Sequence, residues 1–300
     1  MGAAGGGPMV SQVVVDASAF RRLTLAELEA IAARAAVLVS PISLCEILSR
    51  LDEPRRRDEG GGNAGPVRRA RLCKCEVLRT LHDPLAERAL FVGLSRVLDA
   101  LRDGEGPPGA AEGARRALDE ARRAHARRSL DFCETLVAQL GVERALSLAG
   151  AEFVRFAAAG VPALARQYRS LGVEVPALEG AVFSSVYPFA GFRLARAQDR
   201  LRRARGRGEV GPGRDDMEDA HLCRHLDLLE PRALVTADSG ARAALDRALA
   251  ALDAAAAEVG AEVVALTRAM SVDDVVRVFP PALPRARARL REAAEPARGA

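Results

Sequence analysis

The sequence predicts an α/β fold around a parallel sheet, with a long all-helical stretch set into it. Three observations predict it. Short β-branched runs alternate with helical patterns at both ends of the chain, and strands alternating with helices favour parallel pairing through right-handed crossovers. Two of these runs end in a short segment carrying an Asp, and a strand ending in Asp presents its carboxylate in the crevice beyond the sheet's carboxyl edge. From about Asp52 to Ala204 the rhythm stops, and Ala, Arg and Leu dominate at helical spacing.

The elements follow in order. The glycine-rich start, residues 1–9, reads as a disordered lead. Val13 to Val15 form the first strand. Thr24 with Glu27 is a capping-box signature that opens a helix running to about Ala36. Val37 to Val39 make a second strand, and Pro41 sits where the first turn of a helix tolerates it, ahead of the apolar stretch Ile42 to Leu51. Residues 53–204 form the helical insertion, entered by the charged, glycine-rich loop RRRDEGGGNAGP and broken at Asp83-Pro84, at 104–109, at Gly141 and at Gly160 to Pro162. The α/β pattern resumes over 205–280, completing the domain begun by residues 10–52: a helix from Asp216 to Leu229, a strand at Ala233 to Thr236, a helix from Ala241 to Glu258, a strand at Glu262 to Leu266 and a short helix from Val272 to Phe279. Residues 281–300 form a basic tail.

The chain has 300 residues and a formal net charge of +4, so its overall field favours an anionic partner only weakly and any such preference must come from local clustering. Lys74 is the sole lysine, an arginine bias for which a GC-rich coding sequence is the better explanation and phosphate binding the lesser one. Five cysteines without a framework spacing point to free thiols in a reducing cytoplasm. The start has neither a basic region nor an apolar core of the signal-peptide kind, and no run reaches the length of a membrane span, so no membrane partner is expected.

Four acidic residues stand at the edges of apolar runs: Asp16 in QVVVDAS, Glu46 in VSPISLCEILSR, Asp219 in DDMEDAHLCRHL and Asp238 in ALVTADSG. Each alone has an ordinary explanation, since Asp16 and Asp238 could cap turns or helices and Asp219 could favour a helix dipole. Together they are harder to dismiss. Asp219 lies at helical spacing from Leu222 and Leu226, which turns it toward the buried face, and Glu46 is flanked by Leu44, Cys45, Ile47 and Leu48. Inward carboxylates need a common partner, and a hard divalent cation is the economical one.

On these residues the chain resembles the PIN-domain family, metal-dependent nucleases that act mainly on RNA. The similarity rests on an acid ending the first strand with a small polar residue two positions on (Asp16, Ser18), an acid in a helix after a Ser-rich turn (Glu46), an Asp-Ala pair opening a later helix (Asp219, Ala220) and a strand ending in Thr-x-Asp (Thr236, Asp238). It covers about the first fifty residues and 214–279. It implies an α/β/α sandwich, an endoribonuclease that hydrolyses phosphodiester bonds of single-stranded RNA, and Mg2+ or Mn2+ held by Asp16, Glu46, Asp219 and Asp238. Ser18, Ser43 and Thr236 would then face the substrate. Asp215 and Asp216 precede Asp219 by four and three positions, and Asp216 is preferred as an auxiliary acid. The long insertion departs from the small, toxin-like members, so an antitoxin or a homodimer partner stays open beside RNA.

Phe183, Tyr187, Phe189 and Phe192 lead into the basic run from Arg193 to Gly208. Stacking rings beside a basic track are a common way of holding single strands, so Phe189, Phe192, Arg200, Arg202, Arg203 and Arg205 are candidate substrate contacts, with a buried core and a solvated helix face as the plainer reading. His221 and His225 are one turn apart, but no second pair at ligand spacing accompanies them, which argues against zinc. A haloacid-dehalogenase-like phosphatase needs a second Asp two residues after the first, where Ser18 stands. A response-regulator receiver needs a strand-end lysine, and DASAFRR is not the glycine-rich turn of a dinucleotide site. A non-catalytic PIN-like module binding RNA or protein, and a toxin neutralised by an antitoxin, are the remaining alternatives.

Overall fold

The computed structural model describes residues 10–49, 72–75, 110–205, 216–261 and 265–281. The expected lead, most of the basic tail, the loop at 55–66, the breaks at Asp83-Pro84 and 104–109, Asp215, and residues 262–264 of an expected strand lie outside these residues.

The chain begins with β1 (Gln12–Val15), α1 (Ala17–Arg22), α2 (Leu25–Ala32), β2 (Ala36–Val39) and α3 (Pro41–Leu48). After β3 (Lys74–Cys75) come the helices α4 (Ala110–Leu140), α5 (Val142–Ser147), α6 (Gly150–Ala157), α7 (Val161–Ser170), α8 (Leu178–Ala204) and α9 (Asp216–Cys223). The α/β pattern closes with β4 (Arg232–Val235), α10 (Ser239–Glu258), β5 (Arg268–Met270) and α11 (Val272–Val278). Among the described residues all strands are parallel, in the order β3-β2-β1-β4-β5. The order runs outward in both directions from β1 and β4, so their carboxyl ends flank the crevice where an open parallel sheet binds its ligands.

The strand period of two divides the sheet residues between two cores. Val14, Leu38 and Leu234, in register with one another, pack against Cys133 and Leu136 of α4, Phe192 of α8, Leu222 of α9 and Leu245 of α10. Val13, Val15, Val37, Val39, Ala233 and Val235 face the other way, onto Phe20 of α1, Leu28 and Ile31 of α2 and Val275 of α11. Burial on both faces explains why QVVV and AVLV are apolar at consecutive positions. Helices α4, α5, α6 and α8 thus share their core with the sheet, whereas α7 packs with the start of α8 in a separate cluster of Val161, Leu164, Ala165, Leu178 and Val182.

Local signals set most boundaries. Thr24 and Glu27 form the expected capping box, and Ser40 caps α3 with Pro41 in the first turn. Three expectations need correction. The fifth strand falls at Arg268–Met270, where Val235 pairs with Met270 and the Met270 carbonyl accepts from the Thr236 N–H at 3.2 Å; Ala265 and Leu266, the described end of the strand expected at Glu262 to Leu266, lie outside it. The helix expected to reach Leu229 ends at Cys223, because the N–H groups of Arg224, His225 and Leu226 turn to carbonyls three residues back. The two-residue strand β3 lies in a stretch expected to be wholly helical.

Within α8, Pro188 has no N–H to give the Ser184 carbonyl, and that carbonyl instead accepts from Leu228 N–H at 3.2 Å. One turn on, Gly191 lets α8 approach α10: a Cβ there would lie 2.9 Å from the Ala248 Cβ and 3.4 Å from the Tyr187 ring. Neither neighbour is a flexible side-chain end, and the Tyr187 hydroxyl is tied to the Ala248 carbonyl at 2.8 Å. Gly191→Ala should therefore destabilise the protein by about 1–3 kcal/mol through overpacking, despite alanine's better helix propensity. Urea denaturation checks this, and an unchanged or raised midpoint would show that the two helices can part.

Candidate functional site

Asp16 follows β1 directly. Its N–H donates to the Val235 carbonyl at 3.1 Å, extending the β1–β4 pairing by one residue and placing the side chain at the crevice. The carboxylate caps α1, accepting from Ala19 N–H at 2.5 Å and from the Ser18 hydroxyl at 2.8–2.9 Å. It also accepts from the Thr236 hydroxyl, which in turn accepts from Asp238 N–H at 3.0 Å. Ser18 bridges the same two strand ends, accepting from Ala237 N–H at 3.0 Å. Asp16 is buried, and loss of solvent pushes its carboxyl above the usual value; hydrogen bonds from Thr236, Ala19 and Ser18 oppose the rise, and the nearby Glu46 charge adds to it.

Asp238 caps α10 through Gly240 N–H at 2.6 Å and Ala241 N–H at 3.2 Å. Glu46 projects from α3 and pairs with Arg21 Nη1 of α1 at 3.0 Å. Asp219, on α9, lies 3.9 Å from Arg196 Nη2 of α8, and both side chains are largely shielded from solvent. All four acids line one cleft of about 290 Å³, with Ser18, Arg21, Ser43, Arg122 and Leu222 completing its polar and apolar walls. Residues separated by more than two hundred positions in the sequence thus meet at the carboxyl end of β1 and β4.

Carboxylate oxygen is the donor type that suits a hard cation such as Mg2+ or Mn2+, so the chemistry of the set fits the ion that the sequence suggested. In this arrangement each acid holds a protein partner, and among the described residues no three His, Cys, Asp or Glu side chains stand close enough to share an ion.

The other expected site residues divide. Ser18 and Ser43 line the cleft. Thr236 is completely buried and holds Asp16, so it is a positioning residue and not a substrate contact. Asp216 opens α9. Phe192 is completely buried in the core under the sheet and has no face to offer a base. Phe189 is half-buried with the Arg224 guanidinium 4.3 Å over its ring. Arg200 is buried. Arg202 pairs with Asp199 at 3.0 Å, Arg203 donates to the Asp199 carbonyl at 3.2 Å and Arg205 pairs with Glu143, and none of these arginines lines the cleft. Among the described residues, the cations at the acids are Arg21, Arg122 and Arg196, which the sequence reading did not single out. Arg21 had a legible signal, one helical turn past Ala17 in the segment that Asp16 caps, whereas Arg122 and Arg196 stand in arginine-rich helices that give no cue to one side chain over another.

Comparison of the chain with protein-family models, curated proteins and solved structures returned no match, so the reading of this cleft rests on its own residues.

Proposed function

We propose that the chain is a metal-dependent nuclease with a PIN-like α/β/α sandwich, acting as an endoribonuclease on single-stranded RNA. The observation that carries this reading is the convergence of Asp16, Glu46, Asp219 and Asp238 on one cleft at the switch point of the sheet. These four side chains would hold Mg2+ or Mn2+, with Asp216 as an auxiliary acid. A divalent ion held there would supply Lewis-acid stabilisation of the phosphate and make a hydroxide nucleophile available near neutral pH.

The chain's own residues account for the rest. Ser18 and Thr236 fix the Asp16 carboxylate by hydroxyl hydrogen bonds, so that its position is set before substrate arrives. Arg21 and Arg122 put positive charge in the cleft wall, where a phosphodiester backbone would approach, and so replace the basic run at 200–205 as the nearest cationic surface to the acids. Ser43 offers a polar contact at the base of α3.

A pooled single-stranded RNA incubated with the purified chain should be cut in millimolar Mn2+ and remain intact in EDTA. RNA bound equally with and without metal, and never cut, would make the chain a binding module instead.

A further inference from the structure

Arg196 stands where the helical segment meets the acidic cleft. Its Nη2 lies 3.9 Å from Asp219 Oδ2, and the two side chains are only 13% and 15% exposed. Its other terminal nitrogen lies over Gly240, the second residue of α10. A Cβ built on Gly240 would come within 2.9 Å of Arg196 Nη1 and 3.2 Å of Asp238 Oδ1. The guanidinium thus pairs with Asp219 at one end and lays its other end in space that the missing side chain at Gly240 leaves open, on the side where Asp238 caps α10. Asp238 is held in place by the first N–H groups of α10, so its charge stays beside that space.

A carboxylate shielded from solvent, as Asp219 is, is stabilised by a positive charge beside it. A guanidinium keeps its charge at any pH the protein meets and offers several donors to that acid. A divalent ion bound by Asp219 would do the same electrostatic work.

Resting on the metal-dependent reading, we propose that Arg196 is a built-in counter-ion that competes with the divalent cation for Asp219, so that the cleft loads only as the ion displaces the guanidinium. Through Arg196 the helical segment sets the metal concentration at which the sheet's acids are loaded. A residue that merely packed α8 against α9 would not oppose metal binding when present.

Calorimetric titration of the full chain with Mn2+ alone, without RNA, tests this. Arg196→Gln should bind Mn2+ more tightly than the parent, by about fivefold, the order expected from removing one partly exposed ion pair. Parent-like or weaker binding by the variant overturns the counter-ion and leaves the metal site standing. No binding by either protein overturns the metal-dependent reading and the counter-ion with it. Should Arg196→Gln fail to fold, Arg196→Met, which keeps the apolar stem and removes the charge, decides the matter. Tighter Mn2+ binding by Arg196→Met is expected, and unchanged affinity overturns the proposal.

Discussion

Asp16→Asn should reduce Mn2+-dependent RNA cleavage by about 100-fold or more, while leaving the metal-free protein at least as stable as the parent at neutral pH. The first effect follows from losing the one acid that the sheet itself positions, through the Asp16 N–H bond to Val235 and the Thr236 hydroxyl. The second follows from burial. Asp16 is raised above its ordinary value of 3.8 chiefly by desolvation, which means that the folded state binds its proton more tightly than the unfolded state does. Such a group favours folding below the unfolded value, and that contribution is lost as the pH rises through the folded value. Asparagine carries no charge to desolvate, and its side-chain oxygen can still cap α1 at Ala19. Urea denaturation in EDTA should therefore show the variant gaining on the parent as the pH rises from acid to neutral, and millimolar Mn2+ should reverse the order by stabilising only the protein that keeps the ligand. Parent-like cleavage by the variant would remove Asp16 from the ligand set. A variant less stable than the parent at neutral pH would mean that the hydrogen bonds from Thr236 and Ser18 outweigh the desolvation cost.

The sheet and its acids were legible because their causes are local. A β-branched run that ends in Asp states both the strand and the position of its carboxylate, and this holds for Asp16 and Asp238 without knowledge of the rest of the chain. Glu46 and Asp219 were legible at one remove, since an acid among apolar neighbours at helical spacing must face inward. The residues that answer those acids were not legible. Arg122 lines the cleft and Arg196 reaches Asp219 because α4 and α8 pack on the sheet face beneath Val14, Leu38 and Leu234, and that packing depends on small residues such as Gly191, Ala244 and Ala248, whose meaning appears only once the helices meet. The strand at Arg268–Met270 was missed for a similar reason. Three residues with one fully inward side chain carry no pattern of their own, and pairing with Ala233 to Val235 decides the strand, whereas the more β-branched run just before it drew the prediction.

The aromatic cluster shows the same limit, and a substitution there should have the largest effect on stability. Phe192→Ala should destabilise the protein by about 3–5 kcal/mol, because the ring is fully buried against the sheet and its removal leaves a cavity that α4, α8 and α10 cannot close without shifting. Against a typical total of about 5–15 kcal/mol, that is a large share of the margin. Phe192→Leu, which retains much of the volume, should cost about 1 kcal/mol and keep the denaturant slope of the parent. A base-stacking ring at the surface would behave in the opposite way: its removal would weaken single-strand binding by about 1–3 kcal/mol and leave the urea midpoint unmoved. Measuring both quantities on Phe192→Leu separates the two, since this variant should fold. A lowered midpoint with parent-like binding of a short single-stranded RNA places Phe192 in the core that supports the cleft. An unmoved midpoint with weakened binding would return it to the substrate path, and would require α8 to turn a residue outward that now lies beneath Leu234 and Leu245.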